Sequence, residues 1–400
     1  MDVTAPDGAG AGVATLRPAR MIRQTRAVYF LTSYPLTSWF SETARVHDRF
    51  TVSDGAWGVL LMTAPAVTLV TARAYPRLVP RRLAHRALAL ALAGMTVTVF
   101  GIGLCSSVPL LCCLLVLLGV ANAVLQVEGN SRAHLIESLT GRRVFASCHG
   151  CYSLGVLAAG LTAFVVSAWR LPAVVHFWVV LLVGVTGLFA LRIGPLAEPA
   201  ADGSGAGPDT APADPVGVRF SMPVLMALSF VLLGMEAAVN AWHGTLVDEG
   251  LGFDGYSGAV YAAYALGGIA IRFTGDLVRA RWGTLAAFVV AGPLASLLLF
   301  AALAGRQRLL VLAAFLVLGV AQGIAYPDVL KLAAEREPGE AASHVARVVT
   351  AGTVGVLLAN PLMGWVCDRF SVVGAYAGLG VLLFVTAGWT TVRYVLARRT

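Results

Sequence analysis

Long apolar segments recur along this chain, and they constrain its fold more than any other feature of the sequence. We count about twelve, each about 20 residues long, which is the length that a helix needs to cross the hydrocarbon core of a bilayer. Lipid offers the backbone no hydrogen-bond partners, so helices are expected. The sequence therefore predicts an all-α integral membrane protein with twelve transmembrane helices. The segments lie near residues 27–46, 56–75, 87–105, 109–131, 144–168, 171–192, 222–246, 256–275, 284–304, 309–330, 342–366 and 371–393.

The distribution of positive charge predicts how the chain is oriented. Hydrophobic residues make up 58% of the sequence and charged residues only 12%, yet the net charge is +8. With the N-terminus inside, about twenty of the 29 Lys and Arg residues fall on cytoplasmic segments and about six on outer ones, in keeping with the positive-inside rule. We therefore expect both termini in the cytoplasm, a plasma-membrane location beside anionic lipid, and no nucleic-acid partner.

Two halves of the chain repeat each other at an offset of about 200 residues. LLGVANAVLQVE (117–128) resembles VLGVAQGIAYPD (317–328), and LGVLAAG (154–160) resembles VGVLLAN (354–360). A duplicated bundle of membrane helices is a known way to build a transporter. Small residues let membrane helices approach closely, so helix crossings are predicted at Gly119, Gly155, Gly160, Gly319, Gly323 and Gly355.

A segment rich in Pro, Gly, Ala and Asp divides the two halves at residues 195–218. It shows no apolar periodicity and is predicted to be a flexible cytoplasmic linker. Residues 1–20 are predicted to be a disordered tail. The expected organisation is a six-helix bundle at 21–194 and a second at 219–400. Because each half has an even number of spans, the bundles should be related by a pseudo-twofold axis along the membrane normal.

One face of the seventh span carries polar side chains that point to proton coupling. Glu236, Asn240 and His243 follow i, i+4, i+7 spacing, which places them on one side of a helix. An ionisable group deep in the bilayer is expensive and usually faces a cavity or a partner. Glu236 is therefore a candidate proton-coupling residue and Asn240 a candidate substrate ligand. The alternative is a glutamate kept neutral, or hydrogen-bonded to a neighbouring helix, for structural reasons.

The repeat also pairs an acid and an amide between the halves. Glu128 falls opposite Asp328, and Asn122 opposite Gln322. A cavity between the halves would receive both sets, so all four are candidate transport residues, with gating or packing as the alternative. Arg132 lies four residues after Glu128 and offers a simple helix-surface ion pair instead.

Other polar and aromatic residues in the spans are weaker candidates. His149 could titrate near neutral pH and couple protons, whereas His176 is interpreted as an isolated core histidine. Glu42 lies near the outer interface and is either solvated or part of the pathway. Trp and Tyr could also stack against a solute, although both gather at membrane interfaces, which is the position we favour for Trp39 and Trp242. The five aromatic candidates are Trp39, Trp242, Tyr261, Tyr264 and Tyr326.

A loop after the eighth span resembles a known gating motif. It reads RFTGDLVRARWG and contains Gly275, Asp276, Arg279, Arg281 and Gly283. The major facilitator superfamily carries a similar pattern, Gly-x-x-x-Asp-Arg-x-Gly or a close variant, between the second and third helices of each half. The resemblance implies that these residues form a cytoplasmic gate in which the acid caps a helix. Arg272 precedes Asp276 by four residues and is expected to pair with it. The first-half loop, ARAYPRLVPRR, lacks both the glycine and the acid.

The chain also resembles a bacterial branch of this superfamily near the fucose/proton symporters. Members of that branch carry a Glu, then an Asn or Asp, then a Trp on the seventh helix, matched here by Glu236, Asn240 and Trp242. After the fourth helix they carry an Asn, a Glu, a Gly-Arg pair and a His. The matching residues here are Asn130, Glu137, Gly141, Arg142 and His149. Asn130 is added to the candidate cavity residues on this resemblance.

These observations predict a monomeric secondary transporter that moves a small solute and protons by alternating access, without a cofactor. A sugar-like or small polar metabolite is the expected solute, and efflux of a drug or natural product by proton antiport is the alternative. The sequence lacks a Gly-x-x-x-x-Gly-Lys-Ser/Thr nucleotide motif, so ATP hydrolysis is not expected. A metal enzyme using His134, Glu137 and His149, metal or redox chemistry at Cys148 and Cys151, and a receptor or scaffold are remote alternatives.

Overall fold

The computed structural model describes residues 18–142, 144–191, 193–194, 220–336 and 340–399. Within these ranges the chain is helical and contains no strand. Residues 1–17 of the predicted tail and the whole predicted linker lie outside the described residues. The helices are α1 (Pro18–Ser41), α2 (Thr43–His47), α3 (Asp54–Leu78), α4 (Ala84–Leu104), α5 (Val108–Thr140), α6 (Phe145–Ala168), α7 (Ala173–Leu191), α8 (Met222–Thr245), α9 (Ser257–Trp282), α10 (Ala286–Gly305), α11 (Arg308–Ala334), α12 (Ala341–Arg369) and α13 (Val372–Arg399).

Ten of the described helices are long and apolar enough to cross a membrane, so this is a multi-pass membrane protein. They include every long helix except α1 and α9. Those two are of similar length, 24 and 26 residues, but both carry several arginines, as at Arg26 and Arg272. Their polar residues lower the mean hydropathy without shortening the helix.

The helix ends follow from local sequence. The Ser53 hydroxyl accepts a hydrogen bond from Ala56 N and caps the start of α3, which satisfies a backbone donor that has no partner inside the helix. Gly141 ends α5 with φ at 63°, and Gly283 ends α9 with φ at 92°. Glycine adopts these left-handed conformations without the steric penalty of a Cβ atom. Both turns lie at the same end of the helix bundle.

The packing pairs of the first seven helices have counterparts among the last six. α1 packs on α6 as α8 packs on α12, and α3 packs on α5 as α9 packs on α11. α4 likewise contacts α5 and α7, as α10 contacts α11 and α13. Between the halves, α3 packs on α12 and α6 packs on α9. The large buried apolar cluster includes side chains from both halves.

Glycine occupies the points where these helices approach most closely. A Cβ atom at Gly119 would lie 2.6 Å from the backbone oxygen of Ala64 on α3. The corresponding atom at Gly319 would collide with the backbone oxygen of Tyr264 on α9. The other four predicted crossings, at Gly155, Gly160, Gly323 and Gly355, also face backbone atoms of a second helix. The predicted crossings are confirmed.

The two ends of the bundle differ in how tightly the halves meet. We call the end where α1 begins and α13 ends the termini side, and the opposite end the far side. On the far side the Thr43 hydroxyl donates to Ala241 O at 2.8 Å, and Gly55 N donates to Asp368 Oδ2 at 2.9 Å. Gly364 packs directly on the backbone of Asp54. The far side is therefore closed by direct contacts between the halves.

Candidate functional site

A cavity of about 90 Å³ lies between the halves near the middle of the bundle. That volume is enough for several water molecules. Helices α1 and α6 supply one wall, and α8, α9 and α11 supply the other. The lining residues are Thr37, Phe40, Tyr152, Ser153, Val156, Glu236, Asn240, Tyr261, Tyr264, Ala265, Gly268, Ile269, Arg272, Gly319, Gln322 and Gly323.

Helix α8 brings Glu236 and Asn240 to this cavity, one helical turn apart. Both side chains are half-buried. His243, on the same face one turn further, does not line the cavity. Its ring stacks on Tyr261 at a centroid distance of 4.5 Å, and its Nδ1 bonds Val239 O at 3.0 Å. Of the three polar residues predicted to share one face of the seventh span, Glu236 and Asn240 thus line the cavity, whereas His243 packs against a neighbouring helix.

Two tyrosines of α9 fix the two amides of the cavity wall. Tyr261 donates its hydroxyl proton to Asn240 Oδ1 at 2.9 Å, and Tyr264 donates to Gln322 Oε1 at 2.7 Å. Each tyrosine oxygen keeps lone pairs that can accept a further hydrogen bond. The wall of the second half therefore offers ordered hydroxyl and amide groups, which suit a solute with polar substituents.

Arg272 lies in the cavity wall and does not pair with Asp276. Its Nε donates to Gly323 O at 3.2 Å, and its Nη1 donates to the Ser153 hydroxyl at 3.1 Å. The expected i, i+4 pair is wrong because Arg279 takes Asp276 instead, with Nη1 and Oδ1 2.8 Å apart. Arg272 thus links α9 of the second half to α6 of the first. It is exposed, so the cavity opens toward the termini side.

The two acids matched by the repeat lie outside the cavity, contrary to expectation. Asp328 is 1% exposed; it accepts from Arg279 Nε at 2.6 Å and from Leu285 N at 2.7 Å. Glu128 accepts the Tyr75 hydroxyl proton at 2.8 Å. Each acid instead joins two helices of its own half near the termini side.

Arg132 is likewise turned away from Glu128. It donates to the Thr25 hydroxyl at 3.2 Å, to Gly194 O at 3.2 Å and to Gln24 Oε1 at 3.5 Å. The interpretation of Glu128 and Arg132 as a helix-surface ion pair is therefore wrong. Neutral acceptors on other segments hold this guanidinium instead.

The remaining polar candidates are not among the described residues that line the cavity. Asn122 donates to the Thr68 hydroxyl at 3.4 Å, and Asn130 accepts from the Tyr29 hydroxyl at 2.7 Å. His149 is exposed on the termini side and meets the Tyr29 ring edge-on at 5.3 Å. Tyr326 is half-buried and close enough to Glu236 to interact with its charge.

Two tryptophans and one histidine differ from their sequence interpretation. Trp39 and Trp242 are 1% and 0% exposed, so they lie in the protein core and the predicted membrane-interface position is wrong. His176 is not isolated, because its Nδ1 lies 2.9 Å from Glu42 Oε1. Glu42 also pairs with Arg45 and is fully buried, so it is not solvated.

The loop residues of the gating motif surround the α9 to α10 turn. Gly275 packs directly on the Ile324 side chain, where a Cβ atom would collide. Arg279 bridges Asp276 and Asp328, and the Arg281 guanidinium lies over the Trp282 ring. The positive φ of Gly283 starts the turn that brings Leu285 N to Asp328. These contacts tie α9 to α11 on the termini side.

The described residues contain no cluster of three side chains that could hold a metal ion. Glu137 accepts hydrogen bonds from Val144 N at 2.6 Å and Phe145 N at 2.8 Å, so it caps the start of α6. His134 stacks on the Phe145 ring at 4.8 Å. Cys148 and Cys151 are both free thiols.

Several lining residues were not singled out by the sequence. Tyr152, Thr37 and Phe40 lie on α6 and α1, far in sequence from Glu236. Only tertiary packing brings them to the cavity. The sequence singled out Arg272 as a gate residue and not as a cavity residue, although its depth in the eighth span is unusual for an arginine and favours a position facing a cavity.

Comparison with known proteins agrees with this architecture. A family model described as Major Facilitator Superfamily matches residues 28–346. The uncharacterized transporter y4wD of Sinorhizobium fredii is 26% identical over 379 residues, covering 90% of this chain and 96% of the relative.

Among solved structures, a mutant of the nucleoside transporter NupG has a TM-score of 0.71 at 13% identity, covering 94% of this chain and 99% of that one. A bacterial homolog of the human lysosomal transporter Spinster, solved in an inward-facing, unoccupied conformation, has a TM-score of 0.69 at 14% identity. That match covers 96% of this chain and 97% of the other. At such identities the likeness concerns the fold alone.

Proposed function

The chain belongs to the major facilitator superfamily, and on that basis we propose that it is a secondary transporter that moves a small polar solute together with protons by alternating access. The family and the relative named as a transporter indicate transport of small solutes and not enzymatic catalysis. We further propose that it acts as a monomer, since a single chain supplies both walls of the cavity.

The proposed architecture is twelve spans in two six-helix bundles related by pseudo-twofold symmetry, at residues 21–194 and 219–400. Support comes from the matched packing pairs and from the matched glycines Gly119 and Gly319. α1 and α9 count as spans because each packs along neighbours that are apolar enough to cross the membrane. We propose that the termini side faces the cytoplasm of a bacterial cell, as the arginine distribution indicates.

The single observation that carries the proton-coupling proposal is the position of Glu236. Among the described residues it is the only carboxylate that lines the cavity, and none of them donates a hydrogen bond to it. A carboxylate in that position can take a proton when the cavity opens to one side and release it when the cavity opens to the other. The solute and the proton would then share one cavity, and the closed far side corresponds to the state open to the cytoplasm.

The chemistry of the wall favours a small polar solute over a lipophilic drug. Asn240, Gln322, Tyr261 and Tyr264 present hydrogen-bonding groups, and Phe40 adds an aromatic face. Such a wall recognises hydroxyl, carbonyl or carboxylate groups, whereas a lipophilic compound would leave these polar groups unpaired at a free-energy cost. The proton-antiport alternative predicts transport in the opposite direction.

Proteoliposomes with a pH-sensitive dye inside test this proposal. Addition of sugars, polyols and organic acids in turn should identify solutes that carry protons inward, so that the lumen acidifies. A protonophore should remove the proton gradient and with it any uphill accumulation of the solute. Solute accumulation that is insensitive to the protonophore would contradict proton coupling.

A further inference from the structure

The cavity wall contains one carboxyl group and one guanidinium group that do not pair with each other. Glu236 on α8 and Arg272 on α9 are its two charged residues among the described lining side chains. They are close enough for their charges to interact, but they do not form an ion pair. When Glu236 is ionised, its charge and that of Arg272 therefore balance each other without a direct contact.

Arg272 is held in place by neutral groups alone. Its two hydrogen bonds go to Gly323 O and the Ser153 hydroxyl, and no carboxylate of the described residues pairs with it. A guanidinium has five N–H donors, so three remain for another partner. A cation at this depth without a counter-ion is expensive, and the structure keeps it at the wall of a cavity.

We propose that the solute is a small hydroxylated carboxylate and that Arg272 binds its carboxylate group. This inference rests on the proposed transport function and names the solute class. The planar guanidinium matches a carboxylate in shape and charge and forms strong, charge-assisted hydrogen bonds. Since Ser153 and Gly323 already fix the Arg272 side chain, little further conformational entropy is lost when the anion binds.

The rest of the wall suits the hydroxyl groups of such a solute. The hydroxyl groups of Tyr261 and Tyr264 donate hydrogen bonds to the amide oxygens of Asn240 and Gln322. The oxygen of each hydroxyl can still accept a hydrogen bond from a hydroxyl group of the solute. Asn240 and Thr37 lie beside them in the wall. An anion with hydroxyl groups therefore finds a cation at the termini-side end of the cavity and neutral polar groups beyond it.

This arrangement also explains how a proton would favour solute binding. With Glu236 ionised, the acid and the base cancel and the cavity has no net charge. With Glu236 protonated, the positive charge of Arg272 is uncompensated and attracts an anion. Because linkage is reciprocal, the bound anion favours protonation of Glu236 by the same factor. A proton and a monovalent carboxylate would then cross together without net charge.

Few other titratable groups face this pair. On α6 they are Tyr152 in the wall and exposed His149 near Arg272. On α9 they are Tyr261 and Tyr264. On α11 Tyr326 lies near Glu236, and α1 contributes Thr37 and Phe40, which do not titrate. The phenols are neutral at ordinary pH, so Glu236 and His149 are the groups whose titration a pH experiment must separate.

Two matched probe sets test the inference on the purified full chain. The first is D-glucuronate, D-glucose and D-glucosamine, which share a ring and differ in charge. The second is lactate, propanediol and aminopropanol. Ligand binding raises the apparent melting temperature. We expect the acid of at least one set to stabilise the protein more than its neutral and amine counterparts, and more strongly at about pH 5.5 than at about pH 7.5.

Four variants make the outcome specific. Arg272→Gln should weaken binding of the acid about ten- to hundredfold, whereas Arg393→Gln, on the exposed surface of α13, should leave binding unchanged. Glu236→Gln should bind the acid equally well at both pH values, and His149→Gln should keep the pH dependence. Stronger stabilisation by a neutral or amine probe, no effect of either acid, or unchanged binding in Arg272→Gln would overturn the inference.

These results are separable from failure of the proposed function. If Arg272→Gln moves a neutral solute with normal proton coupling, the anion inference fails while proton-coupled transport stands. If Glu236→Gln keeps proton-coupled flux in proteoliposomes, the proposed coupling mechanism fails, whatever the solute class.

Discussion

The acids of α5 and α11 occupy matching places in the repeat but have different partners. Asp328 on α11 accepts from the Arg279 guanidinium and from Leu285 N. Glu128 on α5 accepts one hydrogen bond, from the neutral hydroxyl of Tyr75. The same helix pair is thus held by a charged contact in the second half and by an uncharged donor in the first.

The cavity shows the same division. The second half supplies Glu236, Arg272 and both amides, whereas the first half supplies only uncharged residues among those described, including Thr37, Tyr152 and Ser153. The two halves share a backbone framework, marked by the glycines at 119 and 319. The comparison teaches that the two halves pack their helices alike, whereas both charged residues of the described cavity wall lie in the second half. The predictions below test where the halves differ and where they are alike.

The largest difference is expected between Asp328→Asn and Glu128→Gln. Asp328→Asn removes the charge that holds Arg279, and we expect a loss of about 2–3 kcal/mol, reduced from the fully buried case because Arg279 is partly exposed. Glu128→Gln keeps an oxygen for Tyr75 and should cost less than about 1 kcal/mol. Apparent melting temperatures at one scan rate measure both. Equal decreases in melting temperature for the two variants would show that the charged contact of Asp328 stabilises the second half no more than the uncharged contact of Glu128 stabilises the first.

The glycines should show the part that the halves share. Gly319→Ala and Gly119→Ala each place a methyl group against a backbone oxygen, and overpacking of this kind costs about 1–3 kcal/mol. Both variants should therefore melt at lower temperatures by similar amounts. Gly388→Ala on α13, where a Cβ atom meets nothing within 4 Å, is the matched control. A large drop in one half alone would argue against a common framework.

A smaller effect on stability is expected when Tyr75, which donates the hydrogen bond to Glu128 in the first half, is changed. Tyr75→Phe removes the hydroxyl bonded to Glu128 and should cost about 1 kcal/mol. Tyr75→Arg offers Glu128 a cation, as Arg279 does for Asp328, and should recover part of that loss. Thermal unfolding of the two variants side by side gives the answer. If arginine is no better than phenylalanine here, the geometry of the first half does not admit the charged contact.

The smallest effect is expected at Asp276. Its side chain is 97% exposed, and its contact with Arg279 is a surface ion pair, a type that contributes little to stability. Asp276→Asn should therefore leave the melting temperature unchanged within error, in contrast to Asp328→Asn. If Asp276→Asn lowered the melting temperature as much as Asp328→Asn, the main stabilising partner of Arg279 would be Asp276 and not Asp328, which would contradict this interpretation.

Much of the fold could be predicted because its signals are local. The length of the apolar segments predicted the helices, and glycines within those segments predicted the crossings at Gly119 and Gly319. The helical face of Glu236 and Asn240 also follows from spacing alone, and both line the cavity. The branch near the fucose/proton symporters and the individual site roles stay predictions.

The remaining features depend on contacts between residues far apart in sequence. His176 and Glu42 are 134 positions apart and meet at 2.9 Å, which no periodicity reveals. Arg272 has the spacing for a pair with Asp276, but it bonds instead to Ser153, which is 119 positions away in sequence. Trp39 and Trp242 matched an interface pattern although tertiary packing buries both. Spacing along one helix cannot distinguish a lipid-facing position from one that faces another helix.

Proton movement in the Glu236→Gln variant tests the central claim most directly. Proteoliposomes of the wild type and of the variant would be loaded with a pH-sensitive dye and given a solute that the wild type moves. The wild type should acidify the lumen as the solute enters. Glu236→Gln should exchange labelled for unlabelled solute but move no protons. Acidification by Glu236→Gln at the wild-type rate would contradict the account.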